Sequence, residues 1–278
     1  MKERDKMKVF LKRNIKSIVG VFIIAFLSFC MILNAEKNIS IIETNGRVIS
    51  NKKIEWGIKR NDNHEQPDLG SVNKALMDKY NGMAMGNADS KKVYLTFDMG
   101  YEAGYTEKIL EVLKQNNVKA AFFITAHYVN TQPDLVKHMI SEGHIIGNHT
   151  VNHKSMPSLT IEKIKEEVMN LHTAIFNKFN YEMKYIRPPK GEYSESSLEF
   201  CKTLGYTTVM WSLAYDDWDE NKQGREEYAK KKILDNIHNG AIILLHGNSK
   251  DNANILDYVI KNIKQQGYIF ASLDEFER

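Results

Sequence analysis

The chain has 278 residues and carries 38 Lys and Arg against 35 Asp and Glu, a net charge of +3. Apolar residues at 42 % exclude an intrinsically disordered chain, a mean hydropathy of −0.43 excludes a polytopic membrane protein, and two cysteines exclude a disulfide framework. The length admits one barrel-sized domain or two smaller ones.

The positive excess sits at one end. Lys2, Arg4, Lys6, Lys8, Lys12, Arg13 and Lys16 precede an apolar run of 16 residues over 18–33. Residues 1–35 hold seven basic and two acidic side chains, +5, which leaves the remainder at −2. Cations ahead of an apolar run of this length read as an export signal cleaved after Ala35 or as a retained membrane anchor. Either way the body is expected outside the cytoplasm, against a membrane or in a cell wall. With the cations assigned to targeting, no basic surface remains for nucleic acid, which is excluded as a partner.

Residues 36–90 are polar, with turn signals at Asn61-Asp62-Asn63, Asn81-Gly82 and Gly86-Asn87 and little periodicity. The expectation is a tether over 36–55 and a lead-in over 56–90 that packs loosely on the domain C-terminal to it. A regular pattern begins at Lys91. Apolar runs at 93–97, 120–124, 144–146, 185–187, 207–211, 241–245 and 268–270 read as seven strands. Pro133 opens a helix and Gly143 stops it, while Ile161, Ile164, Val168, Leu171 and Ile175 share one face of another. Gly205 and Gly267 end two more. This alternation predicts an α/β domain with a mostly parallel sheet over 91–275.

The polar groups at the strand ends decide between an open sheet and a barrel. They are Asp98, the pair His149 and His153, Arg187, Asp216 with Asp217, and His246. Strands about 4.8 Å apart in an open sheet would scatter these groups over ~20 Å. Closure brings every carboxyl end to one mouth, where barrel enzymes keep their sites, so a distorted (β/α) barrel is predicted.

Each group has a chemical and a structural reading. Asp98, before Gly100, is placed as a general base or as a turn-forming aspartate. His149 and His153, read as i and i+4 on one helical turn, suit a single metal ion or are two surface histidines. Arg187, ahead of Pro188-Pro189, is a fixed fork able to hold Asp98 bidentately and keep it ionised, or part of a rigid turn. His246 leaves the buried run Ile242-Ile243-Leu244-Leu245, and Asp217 on a neighbouring strand would raise its pKa and make it an acid. Trp218 offers a stacking surface for a sugar, or a core side chain.

Thr96-Phe97-Asp98, His149-Thr150-Val151-Asn152-His153, Arg187-Pro188-Pro189-Lys190-Gly191, Asp216-Asp217-Trp218 and Leu244-Leu245-His246 occur once each, in this order, each after a strand. The series resembles the polysaccharide deacetylases of carbohydrate esterase family 4, and the likeness covers roughly 91–273. It implies Asp98 as catalytic base, His246 as catalytic acid tuned by Asp217, Arg187 holding Asp98, and His149 and His153 as ligands of a divalent metal such as zinc. Tyr193, Trp218 and Leu244 would lie near the sugar and its acetyl group.

The chain departs from that pattern twice. Met99 stands where the family carries a third metal ligand, a second Asp, and a neutral thioether is a poor partner for zinc beside two imidazoles. Ala214 stands where many members carry an Asp. The members that form muramic δ-lactam in bacterial spore cortex are similar in both departures. They are similar also in Trp56-Gly57-Ile58-Lys59-Arg60, in the stretch Phe97 to Thr106, and in Leu245-His246-Gly247-Asn248-Ser249-Lys250-Asp251-Asn252-Ala253. The resemblance therefore implies N-deacetylation of N-acetylmuramic acid on peptidoglycan strands in the forespore or cortex region, with an amidase acting upstream. A deacetylase of N-acetylglucosamine polymers and a non-catalytic glycan-binding domain are the alternatives.

Overall fold

In the computed structural model the described residues are 41–44 and 47–278, so the expected signal or anchor over 1–35 lies outside them. Among the described residues no helix is long and apolar enough to cross a membrane. The chain divides into two compact units, Met1–Lys52 and Lys53–Arg278. In the first, β1 (Ile41–Thr44) and β2 (Arg47–Ser50) pair antiparallel, so part of the expected tether is a two-stranded ladder.

The second unit corrects the predicted boundary at 91. Its first 38 residues do not pack loosely on the barrel; they are built into it. Strand β3 (Ile54–Glu55) pairs antiparallel with residues 192–193, and helix α1 (Ser71–Lys79) follows Gly70. Leu69, Met77, Tyr80 and Ala84 share a core with Tyr193, Leu198 and Met210. The segment reads as loose because its buried positions face one surface of a large neighbour rather than forming a periodic stripe of their own.

The barrel strands follow in chain order. Strand β4 (Lys92–Met99) leads to helix α2 (Thr106–Gln115), β5 (Ala121–Ile124), α3 (Ala126–Thr131), α4 (Pro133–Ser141) and β6 (Ile145–Asn148). Then come α5 (Ile161–Phe179), β7 (Tyr185–Ile186), β8 (Glu192–Tyr193), α6 (Glu195–Thr203) and β9 (Thr207–Thr208). Helix α7 (Glu226–Leu234), β10 (Ile242–His246), α8 (Lys250–Gln265) and β11 (Ile269–Phe270) complete the unit. The order is β10-β4-β5-β6-β7-β9, with β11 beside the start of β4, and every pair is parallel.

The seven expected strands are present, with two instructive differences. The strand expected over 185–187 stops at Ile186 because Pro188 and Pro189 follow Arg187 and have no N–H with which to extend the ladder. The strand expected over 207–211 is only two residues long because the chain changes partners. Val209 bridges Met83, the Met210 N–H donates to the Met83 carbonyl (2.7 Å), and Leu213 bridges Ile243 of β10. That last bridge brings the β9 side of the sheet round to β10 and curls it into an incompletely closed barrel. Helices form where the sequence marks them. Thr160 caps α5 by accepting from the Lys163 N–H, Pro133 sits in the first turn of α4, and Gly143, at φ +76°, lets the chain turn away after it.

Candidate active site

The β4–β10 register is the foundation of the site: Asp98 lies directly opposite His246. Asp98 is therefore inside β4, one residue before its end, rather than after it. Both side chains line a cavity of about 950 Å³ at the carboxyl ends of the strands, with His149, His153, Trp218 and Leu244. A cavity of that size suits one sugar residue and part of its neighbour.

Arg187 has no exposed surface and every arm is used. Its Nη1 donates to Asp98 Oδ1 at 2.8 Å, Nη2 to Thr96 Oγ1 at 2.9 Å and Nε to the Val209 carbonyl at 3.1 Å, while the guanidinium lies 4.2 Å from the Phe123 ring centroid. The expected bidentate grip is thus corrected: one arm holds Asp98, and Thr96 takes the other, because the two side chains project from the same face of β4. Burial alone would raise the Asp98 pKa, but the Arg187 guanidinium, aided by His149 and His246, outweighs it and holds the carboxyl below its ordinary value. Asp98 is an ionised base with one oxygen committed and the other, Oδ2, facing His149 Nε2 at 3.4 Å.

The imidazole pair does not lie on a helical turn. His149 to His153 is a loop after β6, with Thr150 at φ +66° and His153 at φ +53°. A β-branched residue in this region is strained, and the surroundings hold it there. The Thr150 N–H donates to Asn148 Oδ1 (2.9 Å), the His153 N–H to Thr150 Oγ1 (3.1 Å), and the Asn152 N–H and Nδ2 to the two Glu167 carboxylate oxygens (2.7 Å each). His149 Nδ1 is 2.8 Å from the Arg187 carbonyl oxygen, which requires a proton on Nδ1 and leaves Nε2 with a lone pair. His153 Nε2 meets it at 3.1 Å. Burial lowers the pKa of both rings, that of His153 to about 4, so both are neutral at physiological pH.

Across the cavity, Asp217 Oδ2 accepts from the His246 N–H and Oδ1 from His246 Nδ1, both at 2.7 Å. Asn252 Nδ2 donates to Asp217 Oδ2 (2.6 Å) and to the His246 carbonyl (3.1 Å), and its Oδ1 accepts from the Tyr215 hydroxyl (2.5 Å). Burial would lower the His246 pKa; the Asp217 carboxylate overrides it and raises it. His246 can therefore carry a proton on the nitrogen that faces the cavity. Asp216 turns away and pairs with Arg225 (3.1 Å).

One expectation is corrected. Tyr193 is fully buried, in contact with Trp56, and donates its hydroxyl to Asn73 Oδ1 (2.6 Å); it shores up the wall and does not reach a sugar. The Gly191 amide donates to the Pro188 carbonyl at 3.3 Å and closes the turn that carries Lys190. Trp218 is 60 % exposed at the rim, an open stacking face, and Leu244 is buried at the cavity floor. Thr96 and Asn252 stand inside the quoted motifs without a role of their own, and Glu167 stands outside them. Glu167 leaves a trace in the sequence, a carboxylate on the buried face of α5 between Ile164 and Val168.

A parallel barrel with an ionised carboxylate, a facing imidazole pair and a carboxylate-bound imidazole at one mouth defines a hydrolase that works by general acid–base chemistry. Residues 85–209 match the family model of the polysaccharide deacetylases. The chain is 44 % identical over 228 residues to the peptidoglycan-N-acetylmuramic acid deacetylase PdaA of Bacillus subtilis, covering 82 % of this chain and 87 % of that one. The solved structure of B. subtilis PdaA, a family 4 carbohydrate esterase, superposes with a TM-score of 0.80 over 82 % of this chain and 98 % of that chain. A peptidoglycan-N-acetylglucosamine deacetylase of Bacillus cereus is 32 % identical over 71 % of this chain and 72 % of its own. The chain belongs to the polysaccharide deacetylases of carbohydrate esterase family 4, hydrolases of the N-acetyl amide bond.

Members of this family generally use a divalent metal. Two neutral imidazoles with Nε2 atoms 3.1 Å apart have the spacing that two ligands of one cation require. The third ligand is missing. Met99 is 1 % exposed, and its thioether fills the space in front of Gly247, where a Cβ would come within 2.3 Å of the sulfur. Among the described residues no three His, Cys, Asp or Glu are arranged to hold a metal ion. The residues fit a cation on two protein ligands, not on three.

Proposed function

We propose that the protein deacetylates N-acetylmuramic acid in peptidoglycan, the step that leads to muramic δ-lactam in spore cortex. The observation that carries the reading is the pairing of an acid and a base across one cavity: Asp98, whose ionised form Arg187 favours, and His246, whose protonated form Asp217 favours, on adjacent strands in register. The PdaA relative, named for activity on N-acetylmuramic acid, supports the sugar assignment.

In the reaction, Asp98 removes a proton from a water molecule as its oxygen attacks the acetyl carbonyl carbon. His246 gives its proton to the amide nitrogen as the C–N bond breaks, releasing acetate and a free amine. Arg187 keeps Asp98 charged in a dry site, and Asp217 with Asn252 fixes the His246 ring so that Nε2 points at the leaving group. A divalent cation on His149 and His153 would add Lewis-acid polarisation of the acetyl carbonyl. The freed amine then condenses with the lactyl carboxyl group, with loss of water. That ring closure requires the carboxyl to be free of peptide, so an amidase acts first. The basic and apolar segment over 1–35 supports an exported enzyme at the outer face of a membrane or in the wall.

The test is incubation of the full chain with amidase-treated peptidoglycan, with and without chelator, followed by mass spectrometry of the released muropeptides. Deacetylated or lactam-bearing muramic acid is the expected product. Deacetylation confined to N-acetylglucosamine would replace this reading with the second one, and no acetate from either sugar would leave only glycan binding.

A further inference from the structure

We propose that Lys190 binds the lactyl carboxylate of the substrate and thereby selects muramic acid residues free of peptide, an inference that rests on the muramic acid reading above. N-acetylmuramic acid differs from N-acetylglucosamine by one group, a lactyl ether on C3, the carbon next to the one that bears the acetamide. Its carboxyl group closes onto that nitrogen in a six-membered lactam, so carboxylate and amide lie within one ring of each other. A cation that recognises the carboxylate must therefore border the same cavity as Asp98 and His246.

Lys190 is the only Lys or Arg among the cavity-lining residues. Arg187 lies beneath the cavity and is committed to Asp98, Thr96 and two backbone carbonyls. Lys190 is exposed and forms no ion pair among the described residues. The acidic residue nearest to it in sequence, Glu192, is paired with Lys53 at 3.2 Å. Bringing an anion beside the ionised Asp98 is unfavourable without a counter-charge, and Lys190 supplies it.

The backbone gives an independent reason to regard this lysine as placed for function. Lys190 adopts φ +61°, ψ 7°, a left-handed conformation that costs a non-glycine residue about 1–2 kcal/mol. The turn is held on both sides. Pro188 and Pro189 precede it, and the Trp56 N–H donates to the Gly191 carbonyl at 2.8 Å while Trp211 packs against Gly191. A glycine would sit there without strain, so the side chain is retained at a cost and is presented to the cavity by a rigid support.

The experiment compares two glycans: amidase-stripped peptidoglycan with its lactyl carboxylates free, and the same material with those carboxylates chemically reduced to alcohols. For the wild type, Lys190→Met and Lys190→Arg, kcat/KM is measured on each, with thermal unfolding as the check on folding. The wild type is expected to prefer the free carboxylate, and Lys190→Met is expected to reduce that preference at least tenfold, mainly through KM, as loss of a charge-assisted hydrogen bond implies. Lys190→Arg should retain it. Rising salt should weaken the preference of the wild type and leave the methionine variant unaffected. A Lys190→Met enzyme with the wild-type preference overturns the proposal while the muramic acid reading stands. A wild type that releases no acetate from either glycan overturns both.

Discussion

Arg187 performs two tasks from one position. Its guanidinium ionises Asp98, and its carbonyl oxygen fixes the tautomer of His149. A base, a candidate ligand and their common support are thus coupled through one fully buried residue. Replacing Asp98 by Asn removes the base and should lower kcat by about 10²–10⁴-fold. It also leaves Arg187 buried without a counter-charge, a loss on the order of 3–5 kcal/mol. Acetate release and thermal unfolding should therefore be read on the same preparation; wild-type turnover in a folded Asp98→Asn protein would remove Asp98 from the mechanism. On the opposite wall the pKa of His246 is raised, so its acid form persists as pH rises through the ordinary imidazole value and is lost only above it. Asp98 is lowered and stays ionised until the pH falls below the ordinary carboxylate value. Activity should form a plateau between these limits. Asp217→Asn withdraws the charge that raises His246, so the alkaline limb of the kcat profile should move to lower pH, with the acid limb unchanged. A profile unmoved on its alkaline side would mean that His246 is not the acid.

The loop after β6 shows how an element can be specified by partners far away in sequence. Thr150 and His153 hold left-handed backbones because Glu167, in the second turn of α5, accepts both hydrogen bonds from Asn152. Glu167→Gln replaces one acceptor by a donor that faces the Asn152 donors, so at least one of the two bonds must break. The expected result is a stability loss of about 1–3 kcal/mol and weaker binding of zinc by titration calorimetry, since the two Nε2 atoms lose their fixed separation. Unchanged zinc affinity in the folded variant would show that the loop holds its shape without α5. This element also marks where sequence reading stops. The spacing of His149 and His153 was legible as a pair with a common target, and so were the strand ends that deliver Asp98 and His246. The helical turn expected between the imidazoles was not correct, because i, i+4 spacing is satisfied equally by a strained loop when a buried carboxylate pins it. Nor could Tyr193 be told from a sugar-binding tyrosine. Its role depends on Asn73 and Trp56, which lie more than a hundred residues away and meet it only in the fold.

At the scale of the molecule, the segment before β4 turns a barrel into an active site. Trp56 donates its Nε1 proton to the Trp211 carbonyl (2.9 Å) and its backbone N–H to the Gly191 carbonyl (2.8 Å). Arg60 donates to the Ala214 carbonyl (2.6 Å). Trp211, Gly191 and Ala214 all line the cavity, so three points on one wall are anchored by residues of the segment expected to be a loosely packed lead-in. The same segment buries Leu69 and Met77, each contributing about 1.5–3 kcal/mol, and it shields Tyr193, Leu198 and Met210 from solvent. Net stabilities of domains are only about 5–15 kcal/mol, so the barrel should not tolerate its removal. A protein beginning at Lys53 is expected to unfold in one transition and to retain acetate release, because it keeps the whole second unit. One beginning at Lys91, the boundary that sequence periodicity suggests, exposes the Tyr193 face and frees the Pro188–Gly191 turn. It is expected to melt far lower or aggregate, and any folded fraction should lose activity out of proportion to its loss of stability, because the wall that carries Lys190 and Gly191 is no longer fixed. Equal melting temperatures and equal turnover for the two proteins would show that the barrel shapes its own cavity and that the segment before it is only a covering.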